Sequence, residues 1–183
     1  RHVKPEEAND MEPFFPLHAF VCTNCFLVQL DEFVSPDEIF SDDYAYFSSY
    51  STSWLAHAKK YTDKMQEMLN LGKDNLVVEL ASNDGYLLQY FVEKNVPVLG
   101  IEPTANTAEA AREKGVRTEG KFFGVETAKE MSAKYGKADL LLGNNVLAHV
   151  PDINDFVGGM KIMLAEGGVI TMEFPHLQRL MEE

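Results

Sequence analysis

Cysteine is nearly absent from this chain: 183 residues contain two, Cys22 and Cys25. No second pair is available to complete a four-ligand metal site. Basic residues are scarce as well. Lys and Arg total 16 against 29 Asp and Glu, a net charge of −13, so a nucleic-acid backbone or an anionic membrane surface is repelled on average. No apolar run approaches the ~18 residues of a membrane span, and the opening RHVKPEEANDMEP lacks the apolar core of a signal peptide. These gaps predict a soluble, cytoplasmic protein that engages small molecules or proteins, with no nucleic acid and no membrane among its partners.

What is there begins with the two cysteines. In CTNC, a C-x-x-C spacing lets both thiolates reach one metal ion from a tight turn, and zinc suits them. His18 adds a third ligand at best. The pattern reads as the second knuckle of a zinc ribbon whose first pair lies before residue 1. A redox pair has no thioredoxin-like context here, and two buried thiols remain the plain alternative.

A hydrophobic content of 45% suffices for one sizeable domain with an appendage. Residues 1–40 alternate apolar and polar in FPLHAFVCTNCFLVQLDEF, like two strands joined by the cysteine turn. Residues 41–72 hold a Tyr- and Ser-rich stretch and then helical spacing from Leu55 to Leu69, with Gly72 as the expected stop. Over 73–183 strand and helix patterns alternate. The strands are NLVVEL, VPVLGIEP, VRTEG, ADLLLGNN and GGVITMEFP. Continuous apolar runs of this kind predict an α/β fold with a parallel Rossmann-like sheet covered on both faces, in the order 3-2-1-4-5. Pro151 is expected in the first turn of the helix before the last strand. Only HLQRLMEE follows that strand. An apolar sheet edge and half a zinc motif together suggest a piece of a longer protein.

Ligands of such sheets bind at the C-terminal ends of the strands, which selects Ala81 to Gly85. A dinucleotide site needs G-x-G-x-x-G so that backbone can approach a pyrophosphate. Here the turn reads A-S-N-D-G, with Asp84 beside Gly85 and Glu79 two residues before the turn. Acids at this place favour a cationic ligand without phosphate, and S-adenosylmethionine fits: a sulfonium, an ammonium and a ribose with two free hydroxyls. Glu102 ends the second strand, near the distance at which an acid meets a ribose in β-α-β units. Its two oxygens are expected to accept both hydroxyls. Ser82 and Asn83 complete the turn, Phe122 and Phe123 are candidates for the adenine wall, and Asn144 and Asn145 for the methionine end. Plainer readings exist: Asp84 as a helix cap, Glu102 as a solvated strand end, Glu79 as an anchor of the turn and the phenylalanines as core.

Four stretches give a family resemblance: VCTNCFLVQL, FSDDYAYFSSYSTSW, VELASNDGYLL with GIEPT, and NNVLAHVPDINDF. Together they resemble the class I S-adenosylmethionine-dependent sugar C-methyltransferases of antibiotic biosynthesis. The resemblance implies a nucleotide-sugar substrate, a 4-keto sugar methylated at C3 through an enolate. It places His149 and Tyr46 around the sugar as catalytic residues, one able to donate or accept a proton and the other to donate to an enolate oxygen. The family's first cysteine pair, a later His-containing segment and the C-terminal domain have no counterpart in these residues. Rival expectations are O- or N-methylation of another small molecule, a non-catalytic module binding S-adenosylmethionine or S-adenosylhomocysteine and, third, a nicotinamide oxidoreductase.

Overall fold

The computed structural model describes residues 3–40 and 44–182. The chain divides into two units, Arg1–Ser41 and Asp42–Glu183. In the first, β1 (Ala19–Val21) and β2 (Val28–Leu30) form an antiparallel hairpin with Ala19 opposite Leu30 and Val21 opposite Val28. The cysteine turn joins them, as the alternation predicts. It closes through the Cys22 N–H on the Leu27 carbonyl and the Phe26 N–H on the Cys22 carbonyl, each at 2.9 Å. One helical turn, α1 (Pro36–Ile39), follows. None of the residues described for burial in this unit is buried.

The second unit starts with a short 3-10 turn, Ser48–Tyr50, and the helix α2 (Thr52–Leu69). The Ser51 hydroxyl accepts the Trp54 N–H at 3.2 Å and so caps it. Ala58, Thr62 and Met65 form its buried stripe. The helix ends two residues earlier than the expected glycine: Asn70 adopts the left-handed conformation, φ 50°, and its N–H returns to the last turn. Asparagine tolerates that region because its short amide finds local partners, so Gly72 is not needed as the stop.

Next come β3 (Val77–Leu80), α3 (Gln89–Val92), β4 (Val98–Ile101), α4 (Ala105–Glu113), β5 (Thr118–Glu119), α5 (Val125–Tyr135), β6 (Ala138–Asn144), α6 (Ile153–Met163), β7 (Leu164–Glu173) and α7 (Leu177–Glu182). The sheet is parallel throughout in the order β5-β4-β3-β6-β7. This is the predicted 3-2-1-4-5 arrangement. Every residue of β3 and β4 is buried, as strands covered on both faces must be. Alternate side chains divide between two cores. Val77, Leu140 and Leu142 join Met65 of α2, Phe91 of α3 and Ala111 of α4 on one face. Val78, Leu80, Leu99 and Leu141 join Met131 of α5 and Phe156 and Met163 of α6 on the other.

Two local expectations are corrected. The helix expected from Gly85 is reduced to one α-helical turn, because the chain from Ala81 to Leu88 runs as a series of turns. Pro151 lies outside α6: Asp152 is the cap, and its carboxylate accepts the Asn154 and Asp155 N–H groups at 2.9 and 3.0 Å. Among the described residues the last strand, β7, pairs only with β6, and Ile170 and Phe174 are partly open to solvent. None of the described helices is long and apolar enough to cross a membrane.

Candidate active site

The turn after β3 is built from left-handed residues: Ala81 at φ 55°, Asn83 at 48° and Gly85 at 73°. Such a run coils the backbone tightly over the strand ends, and only Gly85 adopts the conformation without a side-chain penalty. The turn is fastened to the neighbouring strand by the Ala81 N–H on the Ile101 carbonyl at 2.8 Å. A Cβ on Gly100, directly opposite Glu79 in the register, would collide with the Ser82 hydroxyl. The glycine in β4 is therefore what lets the turn sit down.

Three of the predicted residues, Ser82, Asn83 and Asp84, are buried in this turn, with Glu79 buried in β3 just before it and Glu102 buried just after β4. Glu79 has no exposed surface, and neither of its carboxylate oxygens has a partner in good hydrogen-bond geometry, the Tyr86 hydroxyl being the one donor near it; the Ser82 hydroxyl and one Asp84 oxygen have no partner either. Burial pushes the Glu79 carboxyl well above the ordinary carboxylate range; the neighbouring Tyr86 hydroxyl, the one donor within reach, pulls it partly back, and the Glu102 and Asp84 charges push it up again. The other Asp84 oxygen pairs with the Lys114 ammonium at 2.9 Å. This Asp is consequently no helix cap.

Glu102 is held from both sides. One oxygen accepts the Asn83 N–H at 2.9 Å, and the other accepts the Thr104 N–H at 2.9 Å and the Thr104 hydroxyl at 2.5 Å. Three of its roughly four acceptor positions are used within the protein. The oxygen facing Asn83 keeps a free lone pair, so the two-oxygen grip on a ribose expected from sequence is narrowed to one oxygen. Thr104, absent from the sequence reading, is what aims this carboxylate.

Asn83 also reaches the Tyr-rich segment. Its amide oxygen accepts the Ser48 N–H at 2.8 Å, and its amide nitrogen donates to the Tyr46 carbonyl at 3.1 Å. The Tyr46 backbone is thereby tied to the turn while its side chain stays more than half exposed. The Tyr44 phenol is pushed up by burial and then by the Glu102 charge.

The Asn144 amide donates to the Tyr86 hydroxyl at 3.0 Å, and Tyr86 lies beside Glu79. The Tyr86 phenol is raised well above its ordinary value by burial first and by the Glu79 charge second. Asn145 is exposed, left-handed at φ 54°, and donates its N–H to the Glu173 carbonyl at 2.6 Å. His149 is exposed at the end of a 3-10 turn, Leu147–His149. The two phenylalanines part company: Phe122 is 42% exposed, whereas Phe123 packs edge-on against Phe156 at 5.3 Å in the core.

Sequence reasoning missed a second constellation beside this one. His57 of α2 hydrogen-bonds through Nε2 to Glu173 at the end of β7, at 2.8 Å. Its ring stacks on Trp54, which stacks in turn on Tyr86. Sequence could have offered only the Trp54 to His57 spacing, one helical turn.

In the first unit, Cys22 and Cys25 are free thiols. The backbone N–H of Cys25 and then that of Asn24 hold the Cys22 thiol below its ordinary range, the environment in which a thiolate serves as a metal ligand. The pair fits two positions of a tetrahedral zinc site. His18 is stacked on Phe20 with centroids 4.5 Å apart, and among the described residues no group of three His, Cys, Asp or Glu is placed to hold a metal. Two thiols are half of the four ligands that a structural zinc centre takes.

Comparison with known proteins fits this geometry. Residues 78–170 match the family model described as "Methyltransferase domain". The chain belongs to that methyltransferase family. Residues 1–40 of this methyltransferase chain match a second model, "Putative zinc binding domain". The C-methyltransferase NovU of Streptomyces niveus is 34% identical over 171 residues, covering 93% of this chain and 40% of NovU. The chain thus spans about 40% of the length of the curated relative it matches. Among solved structures, the plantazolicin methyltransferase BpumL in complex with an analog and SAH superimposes with a TM-score of 0.53 at 13% identity, over 68% of this chain and 48% of that one. A SAM-dependent methyltransferase from Anabaena variabilis gives 0.50 at 15% identity, over 64% and 51%. At these identities the two structures report the fold.

Proposed function

We propose that this chain is the cofactor-binding part of an S-adenosylmethionine-dependent C-methyltransferase acting on a nucleotide-linked keto-deoxysugar. The observation that carries the reading is the set of buried acceptors at the end of β3 that the protein leaves short of donors: the Glu79 carboxylate, with the Tyr86 hydroxyl as its one nearby donor, one oxygen of Asp84 and the Ser82 hydroxyl. Buried polar atoms are normally hydrogen-bonded. Acceptors left open in a group call for a ligand that brings donors and positive charge, which a sulfonium amino acid does and a pyrophosphate does not. Glu102 would take a ribose hydroxyl, the exposed face of Phe122 the adenine, and Asn144 and Asn145 the amino-acid end. Bound there, the cofactor supplies an electrophilic methyl group.

The acceptor reading draws on NovU, whose printed activity is C-methylation. Carbon becomes a nucleophile next to a ketone once a proton is removed, and the enolate so formed needs a donor on its oxygen. His149 and Tyr46 are the side chains proposed to stand around that sugar. His149 is exposed in the 3-10 turn after β6, and Tyr46 is exposed on the stretch whose backbone Asn83 ties to the turn after β3.

Calorimetric titration with S-adenosylmethionine tests the cofactor. Wild type should bind, and Glu102→Ala should lose at least about 1.5 kcal/mol, the scale of a hydrogen bond to a charged group. Equal affinity of the two proteins would remove Glu102 from the site, and no binding by wild type would end the proposal.

A further inference from the structure

Tyr86 touches two parts of the proposed cofactor site and has no role in it as drawn so far. Its ring is 3% exposed and stacks on Trp54 of α2, with centroids 5.9 Å apart. Packing of that kind asks only for an aromatic ring, and phenylalanine would supply it. A hydroxyl buried in such a core is costly unless it is engaged. Here it accepts the Asn144 amide N–H at 3.0 Å, so its own proton is left for an acceptor, and the acceptor beside it is Glu79. Tyr86 thus stands between Asn144 at the end of β6 and Glu79 near the end of β3, two adjacent strands of the sheet.

The surroundings give Glu79 no cation. Its side chain is fully buried, and the charges that reach it are those of Glu102 after β4 and Asp84 in the turn, both anionic. The Lys114 ammonium is committed to Asp84 and to the Ser49 hydroxyl, at 2.9 and 2.6 Å. From α2, Tyr61 bonds to Thr171, and its phenol is pushed up to about 12, by burial first. From β7, the charge of Glu173 is felt at Tyr86 and at Tyr61. A carboxyl so placed keeps its proton until a cation or a set of donors arrives. Burial also holds the Tyr86 phenol well above its ordinary value, so it stays a donor throughout the neutral range. A donor favours the carboxylate over the acid, which makes Tyr86 the group that decides how readily Glu79 ionises.

We propose that Tyr86, held by Asn144, is the positioning residue that presents Glu79 to the ammonium of the cofactor's amino-acid end, and that Glu79 gives up a proton in doing so; this rests on the S-adenosylmethionine reading above. The carboxyl O–H bond breaks and the proton leaves to buffer. The carboxylate so formed accepts from the ammonium N–H and from the Tyr86 hydroxyl. A buried anion is then matched by a cation, and Glu102 is left to the ribose. Because protonated Glu79 has to ionise before it can serve, affinity rises with pH up to the raised Glu79 value.

Calorimetric titration of the full-length protein with S-adenosylmethionine, in two buffers of different ionisation enthalpy, counts the protons released. The control ligand is 5′-methylthioadenosine, which keeps the nucleoside and lacks the amino-acid end. At about pH 6.5 wild type should release about one proton with S-adenosylmethionine and none with the control, and its affinity for S-adenosylmethionine should rise with pH. Tyr86→Phe, which keeps the ring, should bind S-adenosylmethionine at least ~10-fold more weakly and displace the pH dependence upward by about one unit, with the control bound within about twofold of wild type. Asn144→Ala should move both quantities the same way by less. Glu79→Gln should release no proton and show a flat pH profile, and adding Tyr86→Phe to it should cost less than about threefold. An unmoved pH profile in Tyr86→Phe, with affinity unchanged or with both ligands weakened alike, would make the tyrosine a packing residue and overturn the assignment, leaving the cofactor reading intact. Binding by wild type without proton release would overturn it as well. No binding of S-adenosylmethionine by wild type would end the cofactor reading, and this inference with it.

Discussion

The first unit and the sheet unit are held together by different means. In the sheet unit, Val77, Val78, Leu80, Leu140, Leu141 and Leu142 have no exposed surface, and two separate cores grip the strands from either face. In the first unit Met11, Phe14 and Leu17 are each more than 85% exposed, and the hairpin is three residue pairs long. A two-stranded hairpin is marginal on its own in water. Small units without a core rely on a metal, a disulfide or a partner surface, and a cysteine knuckle is the one such device the described residues offer here. Burial makes one unit sensitive to every methylene; the other should be indifferent to its own apolar side chains.

That contrast can be broken most easily at Leu142. Leu142→Ala removes a side chain from the middle of a buried strand and should destabilise the protein by about 2–5 kcal/mol in urea unfolding. Leu17→Ala should stay within about 0.5 kcal/mol, and a comparable loss at both positions would erase the distinction.

A smaller effect of opposite sign is expected at Glu79. Its folded-state pKa is raised, so the folded chain holds that proton more tightly than the unfolded one. The stabilising contribution is complete below the ordinary carboxylate value of 4.5 and is lost as pH rises through the raised value. Glu79→Gln, which cannot ionise, should therefore be about 1–3 kcal/mol more stable than wild type near neutral pH without ligand, and the difference should vanish in acid. The same change should weaken S-adenosylmethionine binding. A variant that is less stable at every pH would show that the carboxylate is satisfied after all.

The smallest effect on folding is expected at the cysteines. Cys22→Ser should lower bound zinc, measured by metal analysis of the purified protein, and leave the unfolding midpoint of the sheet unit within about 0.5 kcal/mol of wild type. Unchanged zinc content would remove Cys22 as a ligand.

The strand order and the acids at the strand ends were legible because both follow from short-range pattern. Apolar runs buried on two faces look alike wherever they occur, and Glu79, Asp84 and Glu102 stand at fixed distances from those runs. The details of the turn were not legible. Lys114 neutralises Asp84 and Thr104 occupies part of Glu102, and neither partner is marked by spacing. Least legible was His57. Its carboxylate lies 116 residues away, and only the packing of α2 along β7 brings them together. Helix ends also escaped, since Asn70 stops α2 through a left-handed backbone that composition does not announce.

Asn83 stands with one atom of its amide on each side of a seam. Its oxygen takes the Ser48 N–H while its nitrogen gives to the Tyr46 carbonyl, and its own N–H is spent on Glu102. A nudge at the Glu102 carboxylate is passed through one residue to the stretch carrying Tyr46. Two segments 37 residues apart in the chain thus hang on one side chain, and Asn83→Ala would release both at once.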